Sequence, residues 1–382
     1  MAASPASAQL TLRLTGVPAG TPTGAAIYVA GSFNGWNPAS PDYRLTERDG
    51  HYSLTLPDEV RGPVEFKFTL GSWDTAEADS SGRDVANRVF LVPASGGATY
   101  TGAVAAWVDT KTRPRPASTA SPSVSVLDTA FAVPQLGRTR RVWLYLPPDY
   151  ATSGRRYPVL YMHDGQNLFD AATAFAGEWG VDESLDSLHA AGDPGVIVVA
   201  VDNGGQKRLD EYSPWKNARL GGGEGEAYVD FLAGTLKPYV DAHYRTLADP
   251  AHTGIMGSSM GGLISLYAGL RHPEVFGRVG VFSPALWFAP EVYAFARAAD
   301  ARGPRPRFYF VTGAQEGNTP EAYVRDQARM VETLTVAGFR DGTEVTAAVR
   351  PDGKHAEWFW RREFPAAYRW LFDDPHTPTT TP

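Results

Sequence analysis

Two hydrophobic rhythms divide this chain. Up to residue 105 the apolar positions come in short runs, several of them alternating with polar ones. Residues 9–14, 51–56 and 64–70 alternate and read as strands with one buried face; Val64, Phe66 and Phe68 share that face in the third. Residues 26–30 and 87–92 are further short strands. Gly, Pro, Asn and Asp separate the runs at the spacing of a β-sandwich, so residues 9–105 are expected to form one all-β domain of immunoglobulin-like type.

Residues 106–123 carry no hydrophobic period. They are rich in Pro, Ser, Thr and Ala and read as a semi-extended linker, stiffened by proline. Beyond them, in residues 124–374, apolar runs alternate with helical patterns. Strands are predicted at 142–146, 159–162, 196–201, 252–256, 279–282, 308–312 and 344–349. Helices are predicted at 181–190, 226–243, 259–271, 290–299, 320–337 and 361–372. Strands flanked by helices at this spacing imply a doubly wound, mostly parallel sheet.

One motif sits at a strand-to-helix junction of that second region. Gly257-Ser258-Ser259-Met260-Gly261 reads G-x-S-x-G between an apolar run and a helix-forming run. In that context it is a nucleophile elbow, with Ser259 on a sharp turn at the positive end of a helix and the Met260 amide free to donate to an oxyanion. With 39 glycines in the chain the bare pattern can arise by chance, and the context is what gives it weight.

A serine nucleophile needs a base and an orienting acid. His272, His355 and His376 follow Ser259 in the chain. His272 begins the turn after the elbow helix, and His376 lies in a tail. His355 follows the last predicted strand directly, where the base belongs. Glu316, in Gly313-Ala314-Gln315-Glu316-Gly317, follows the preceding strand at the same sheet edge and is the expected acid. Asp326 lies inside a predicted helix, and Asp352 is too near His355 in sequence. The second oxyanion donor is expected from Met162-His163-Asp164-Gly165-Gln166-Asn167, with Gly165 allowing a turn that aims the Gln166 amide. His163 and Asp164 invite a metal reading, but no third ligand lies at helical spacing, and a turn role is preferred. The chemistry needs no cofactor and no metal. Trp179, Arg208 and Trp358 lie near the same edge and are candidate substrate contacts; core packing is the competing role for each tryptophan, and an internal ion pair for Arg208.

Composition narrows the partners. The net charge of −7 opposes nucleic acid and anionic membranes. There is no cysteine, so thiolate chemistry and disulfides are excluded, and no apolar run reaches the length of a membrane span. Residues 1–8 are small and polar, and Ala6-Ser7-Ala8 resembles the end of a signal-cleavage site. A secreted or periplasmic location is expected, with a simple N-terminal tail in a cytoplasmic protein as the other reading.

Together these motifs resemble the esterase D and enterochelin-esterase-like family of α/β hydrolases, which includes feruloyl and acetyl-xylan esterases and mycolyltransferases. The resemblance covers residues 127 to 373 and rests on Arg141-Val142-Trp143-Leu144-Tyr145-Leu146-Pro147-Pro148, His163-Asp164-Gly165-Gln166-Asn167, Glu211-Tyr212-Ser213-Pro214-Trp215, Gly257-Ser258-Ser259-Met260-Gly261-Gly262 and His355. It implies Ser259 as nucleophile, His355 as base, Glu316 as acid, and the Gln166 and Met260 amides as oxyanion hole. Many members carry His where this chain has Ser258. The N-terminal region resembles a starch- or glycogen-binding module through Gly31-Ser32-Phe33-Asn34-Gly35-Trp36-Asn37-Pro38 and Gly71-Ser72-Trp73-Asp74. That resemblance implies sugar stacking on Trp36 and Trp73 and hydrogen bonds from Lys67 and Asn87. A core or spacer role for these tryptophans is the competing reading. The expected function is a serine ester hydrolase acting on a carbohydrate-linked ester of feruloyl or acetyl type, with an α-glucan or other glycan as a further ligand. An acyltransferase, a siderophore esterase of the same fold and a non-catalytic glycan-binding protein are the alternatives.

Overall fold

A computed structural model describes residues 9–82, 85–108, 116–175, 177–299, 305–317 and 320–373. The chain divides into two compact units, Met1–Arg115 and Pro116–Pro382.

In the first unit, Thr46–Arg48, His51–Thr55, Leu10–Gly16 and Ala98–Ala103 form one sheet in that order. Tyr28–Gly31, Gly62–Thr69 and Arg88–Val92 form a second. Alternation decides which side chains go inward: Val64, Phe66 and Phe68 are buried with Leu10, Leu12 and Leu14 in one apolar cluster. The strand Ala98–Ala103 escaped the sequence reading because most of its residues are small and it carries no apolar run.

In the second unit, eight strands among the described residues form one sheet. They are β1 (Val124–Val133), β2 (Arg138–Tyr145), β3 (Val159–His163), β4 (Ile197–Val201), β5 (Thr253–Ser258), β6 (Arg278–Phe282), β7 (Arg307–Gly313) and β8 (Val345–Arg350). Their spatial order is β1-β2-β4-β3-β5-β6-β7-β8. The pairings of β2 with β1 and β4 are antiparallel, and every pairing from β4 to β8 is parallel. The central strands are covered on both faces, which is why β4 is apolar at every position. Ile197, Val199 and Val201 join one apolar cluster, while Val198 and Ala200 join the cluster on the other face. This is an α/β-hydrolase-like fold. The helices that matter for the site are α1 (Val181–Ala190), α2 (Met260–Arg271), α3 (Pro320–Val336) and α4 (Glu357–Phe372).

The linker reading of 106–123 needs revision at both ends. Ala106–Trp107 pairs with Glu77–Ala78 inside the first unit. Residues 116–123 are tied to the second: Ser118 Oγ donates to Asp170 at 2.9 Å, and the Ser121 N–H donates to Asp182 at 2.7 Å. Serine and threonine there act as hydrogen-bond donors to buried acids, which a compositional reading cannot distinguish from a solvated spacer. The rest of that stretch, 109–115, lies outside the described residues, as do the cleavage-site resemblance at 1–8 and His376. No described helix is long and apolar enough to cross a membrane.

Candidate active site

A single residue separates the end of β5 from the start of α2. That residue, Ser259, has φ 58° and ψ −121°, a conformation that costs a side-chain-bearing residue on the order of 1–3 kcal/mol. The surroundings hold it there. Its N–H donates to the Phe282 carbonyl at 2.9 Å, and its own carbonyl accepts from Ala285 at 3.0 Å and Leu263 at 3.1 Å. The flanking glycines answer to sterics. A Cβ at Gly257 would lie 2.8 Å from the Gly261 backbone and from the His163 ring, and one at Gly262 would lie 2.8 Å from the Phe282 carbonyl. Ser259 is half-buried at the N-terminus of α2, and Met260 is the first residue of the helix.

Because β5 to β8 run parallel, Ser259, Ser283, Glu316 and His355 all leave the sheet at one edge. The loops after β7 and β8 are zipped together: the Gln315 N–H donates to the Gly353 carbonyl at 2.9 Å, and the Ala314 N–H to the Arg350 carbonyl at 2.8 Å. Gly313 and Gly353 permit this approach, since a Cβ on Gly313 would lie 2.2 Å from the Gly353 carbonyl oxygen. The zipper brings His355 Nδ1 to 2.9 Å from Glu316 Oε2. Glu316 is fully buried, and its other oxygen accepts from Ser283 Oγ and from the Gly313 N–H, each at 2.6 Å. A carboxylate so placed keeps the proton of His355 on Nδ1 and leaves Nε2 as the basic nitrogen. The imidazole stands edge-on to Trp360 at 5.1 Å and tilted against Tyr323 at 5.2 Å.

The 3₁₀ turn Gly165–Asn167 follows β3 at the same edge. The turn is made differently from the expectation. Asp164, not Gly165, takes the left-handed conformation, with φ 56°. Gly165 is needed instead for space: a Cβ there would lie 2.9 Å from the Trp143 ring and 3.0 Å from the Val201 backbone. Gln166 Oε1 accepts from the Asn203 N–H at 3.2 Å. Arg208 grips Asp164 through two bonds of 2.7 and 2.8 Å, and Asn203 adds a third at 2.6 Å. Burial alone would raise the Asp164 pKa, but the facing guanidinium outweighs it and holds the carboxyl below its ordinary range. Arg208 therefore secures the turn that carries Gln166. His163 lies beneath the elbow glycines with Nδ1 at 3.0 Å from the Tyr228 hydroxyl, and burial pushes its pKa down to about 3. A neutral imidazole there is a structural part of the floor, with Tyr212 and Tyr228 against its ring.

One expected substrate contact changes role. Trp179 is 3 % exposed, packed against Phe282 and Trp360, so it supports the site from below instead of walling a pocket. An aromatic next to a catalytic edge looks the same in sequence whether it lines the cleft or floors it. Trp358 is 46 % exposed with the Arg362 guanidinium 5.4 Å from its ring. Ser283 was not foreseen as a site residue. Trp360 Nε1 donates to Ser283 Oγ at 2.9 Å, which in turn donates to Glu316. Asp352 pairs with Arg362 at 2.5 Å, away from the imidazole.

The family model named Esterase matches residues 134–371. The chain belongs to the esterase family. The enzyme is a carboxylic ester hydrolase. A 244-residue stretch is 26 % identical to an endo-1,4-beta-xylanase/feruloyl esterase of Xylanibacter ruminicola, covering 62 % of this chain and 30 % of that protein. A 263-residue stretch is 30 % identical to the iron(III) enterobactin esterase of Dickeya dadantii, covering 63 % and 54 %. A further stretch of 106 residues is 46 % identical to part of an alpha-amylase of Niallia circulans, 28 % of this chain and 8 % of that one.

In the first unit of the esterase, Trp36 and Trp73 come together with ring centroids 6.1 Å apart. Trp36 sits on a turn at φ 60°, and Asn34 pins that turn through bonds to the Gly31 N–H at 2.8 Å and the Val29 carbonyl at 2.9 Å. Both rings are half-buried; the core position of this motif is taken by Phe33, 8 % exposed. Lys67 is only 7 % exposed, while Asn87 is exposed and held by Glu65 at 3.0 Å.

Proposed function

We propose that the esterase works through an acyl-enzyme with Ser259 as nucleophile, His355 as base and Glu316 as the acid that orients it. Ser259 Oγ attacks the ester carbonyl while His355 Nε2 takes its proton. The N–H groups of Gln166 and Met260 hold the oxyanion, each such donor contributing about 2.7–4 kcal/mol. His355 then protonates the leaving alkoxide, and water, activated by the same nitrogen, releases the acid. The observation that carries this reading is the 2.9 Å bond from His355 Nδ1 to a carboxylate whose other oxygen already has two donors.

The substrate we infer is an ester on a carbohydrate, of feruloyl or acetyl type, with the paired rings of Trp36 and Trp73 offering a stacking surface for sugar. The relative named for both xylanase and feruloyl esterase activity supports the first part, and the alpha-amylase likeness supports the second. The iron(III) enterobactin esterase likeness favours a siderophore instead. Electrostatics argues for the neutral ester: Arg208 is matched by Asp164, and the Glu357 carboxyl lies close enough to both to feel their charge. A strongly anionic ligand gains little there.

The deciding experiment measures p-nitrophenyl acetate hydrolysis by wild type and Ser259→Ala, then release of ferulate or acetate from polysaccharide. Loss of kcat by several orders of magnitude in Ser259→Ala is expected. Equal rates would remove the serine mechanism. Release from a catecholate triester alone would move the substrate to the siderophore class.

A further inference from the structure

The motif Gly177-Glu178-Trp179-Gly180 holds a carboxylate that the ester chemistry does not use. Glu178 meets Asp182 and Glu183 at the start of α1, and one oxygen of each lies within 4.8 Å of the other two. Asp182 is fully buried, and the Glu178 side chain is 7 % exposed. Part of this group is satisfied by the segment where the chain enters the second unit: Thr119 Oγ1 donates to Glu178 Oε2 at 3.0 Å, and the Ser121 N–H to Asp182 Oδ2 at 2.7 Å. The remaining oxygens, Glu178 Oε1, Asp182 Oδ1 and Glu183 Oε2, are buried and accept no hydrogen bond among the described residues. Arg361 stands 3.9 Å from Glu178 and 3.6 Å from Glu183, an ion-pair distance that satisfies neither orphaned oxygen. A buried carboxylate oxygen without a donor is unfavourable by a few kcal/mol, and neighbouring carboxylates repel each other as well.

We propose that Glu178, Asp182 and Glu183 bind a divalent, oxygen-seeking cation of the calcium type. The donor set is all carboxylate, which selects a hard ion. Ion–oxygen distances of about 2.4 Å let one calcium ion bridge oxygens as far apart as these. Three carboxylates against one guanidinium leave a local excess of two negative charges, which such an ion neutralises. The site is structural. It clamps residues 119–121 to the start of α1, next to Trp179 under Trp360. It stands independently of the catalytic assignment, since none of its ligands belongs to the ester site.

The full chain is treated with EDTA, dialysed and titrated with CaCl2 by calorimetry, and its thermal unfolding is recorded with and without about 10 mM CaCl2 or MgCl2. One calcium ion per chain is expected, with Kd between roughly 10⁻⁵ and 10⁻³ M, and a Tm rise of about 5 °C that magnesium reproduces only in part. Asp182→Asn keeps an acceptor for the Ser121 N–H and is expected to lose both the binding heat and the shift. Glu183→Gln, at a side chain 35 % exposed, carries the same test if Asp182→Asn fails to fold. No binding heat and an unchanged Tm in wild type would overturn the proposal and leave a proton shared among the acids as what relieves their repulsion. A calcium response that survives in the folded variants would overturn it too, by placing the ion elsewhere.

Discussion

Ser283 Oγ donates at 2.6 Å to Glu316 Oε1, the carboxylate oxygen that His355 leaves free. The hydroxyl is fixed in turn by Trp360 Nε1 at 2.9 Å, so an indole on α4 sets the orientation of an acid after β7. Glu316 thus has its direction set from the side opposite the imidazole.

Ser283→Ala removes that donor and leaves only the Gly313 N–H on Oε1. A hydrogen bond to a charged group is worth about 1.5–3 kcal/mol, so kcat for a small ester is expected to fall roughly 10- to 100-fold with KM little changed. Steady-state kinetics beside a circular-dichroism melt separates this from unfolding.

Arg208→Ala strands Asp164 next to the turn that bears Gln166. The pair is partly exposed, with side chains 26 % and 11 % accessible, so the loss is set at about 3 kcal/mol, the low end for a broken buried pair. That corresponds to a fall in Tm of roughly 6–12 °C. Arg208→Lys is expected to recover only part of it, because an ammonium cannot make the paired contact. Differential scanning calorimetry on the three proteins checks the order.

His163 gives the stability a pH dependence with a definite sign. In the unfolded chain its imidazole protonates below its ordinary 6.5, but burial keeps the folded form neutral down to about 3. Between those values the unfolded state binds the extra proton, so stability falls as pH drops from 6.5 toward 3. At pH 4.5 the loss from this group is about 2.7 kcal/mol. His163→Gln is expected to flatten that part of the curve, measured by urea unfolding at pH 7 and pH 4.5; an unchanged slope would show that His163 is not buried neutral.

Trp36→Ala and Trp73→Ala are each expected to weaken retention on an α-glucan affinity gel about tenfold, while hydrolysis of a small soluble ester stays at the wild-type rate. Wild-type migration that ignores the glycan would rule out the stacking surface.

Much of the sheet was legible in the sequence because parallel strands covered on both faces must be apolar throughout, as Ile197–Val201 is. β1 was not, since it lies at the sheet edge with most residues exposed and so carries no alternation. Ser259 and His355 stand out in the sequence because each follows a strand within a local pattern. Ser283 does not: its hydroxyl acquires meaning only from Trp360, 77 residues away, and from a buried acid on another loop. Trp179 was misread for the converse reason, since its neighbours Phe282 and Trp360 are distant in sequence. Likewise the linker's serines and threonines acquire partners only through folding.

The sheet order has a consequence for a chain still being synthesised. The strand bearing the elbow is central, and the two loops that supply the imidazole and its carboxylate hang from the last two strands made. On the proposed mechanism, Ser259 is synthesised well before the histidine and the carboxylate assigned to activate it. On that reading, reactivity awaits the packing of α4 on β7 and β6. On that mechanism, ribosome-bound fragments that stop short of that helix are expected to be inactive, however much of the sheet they have already formed.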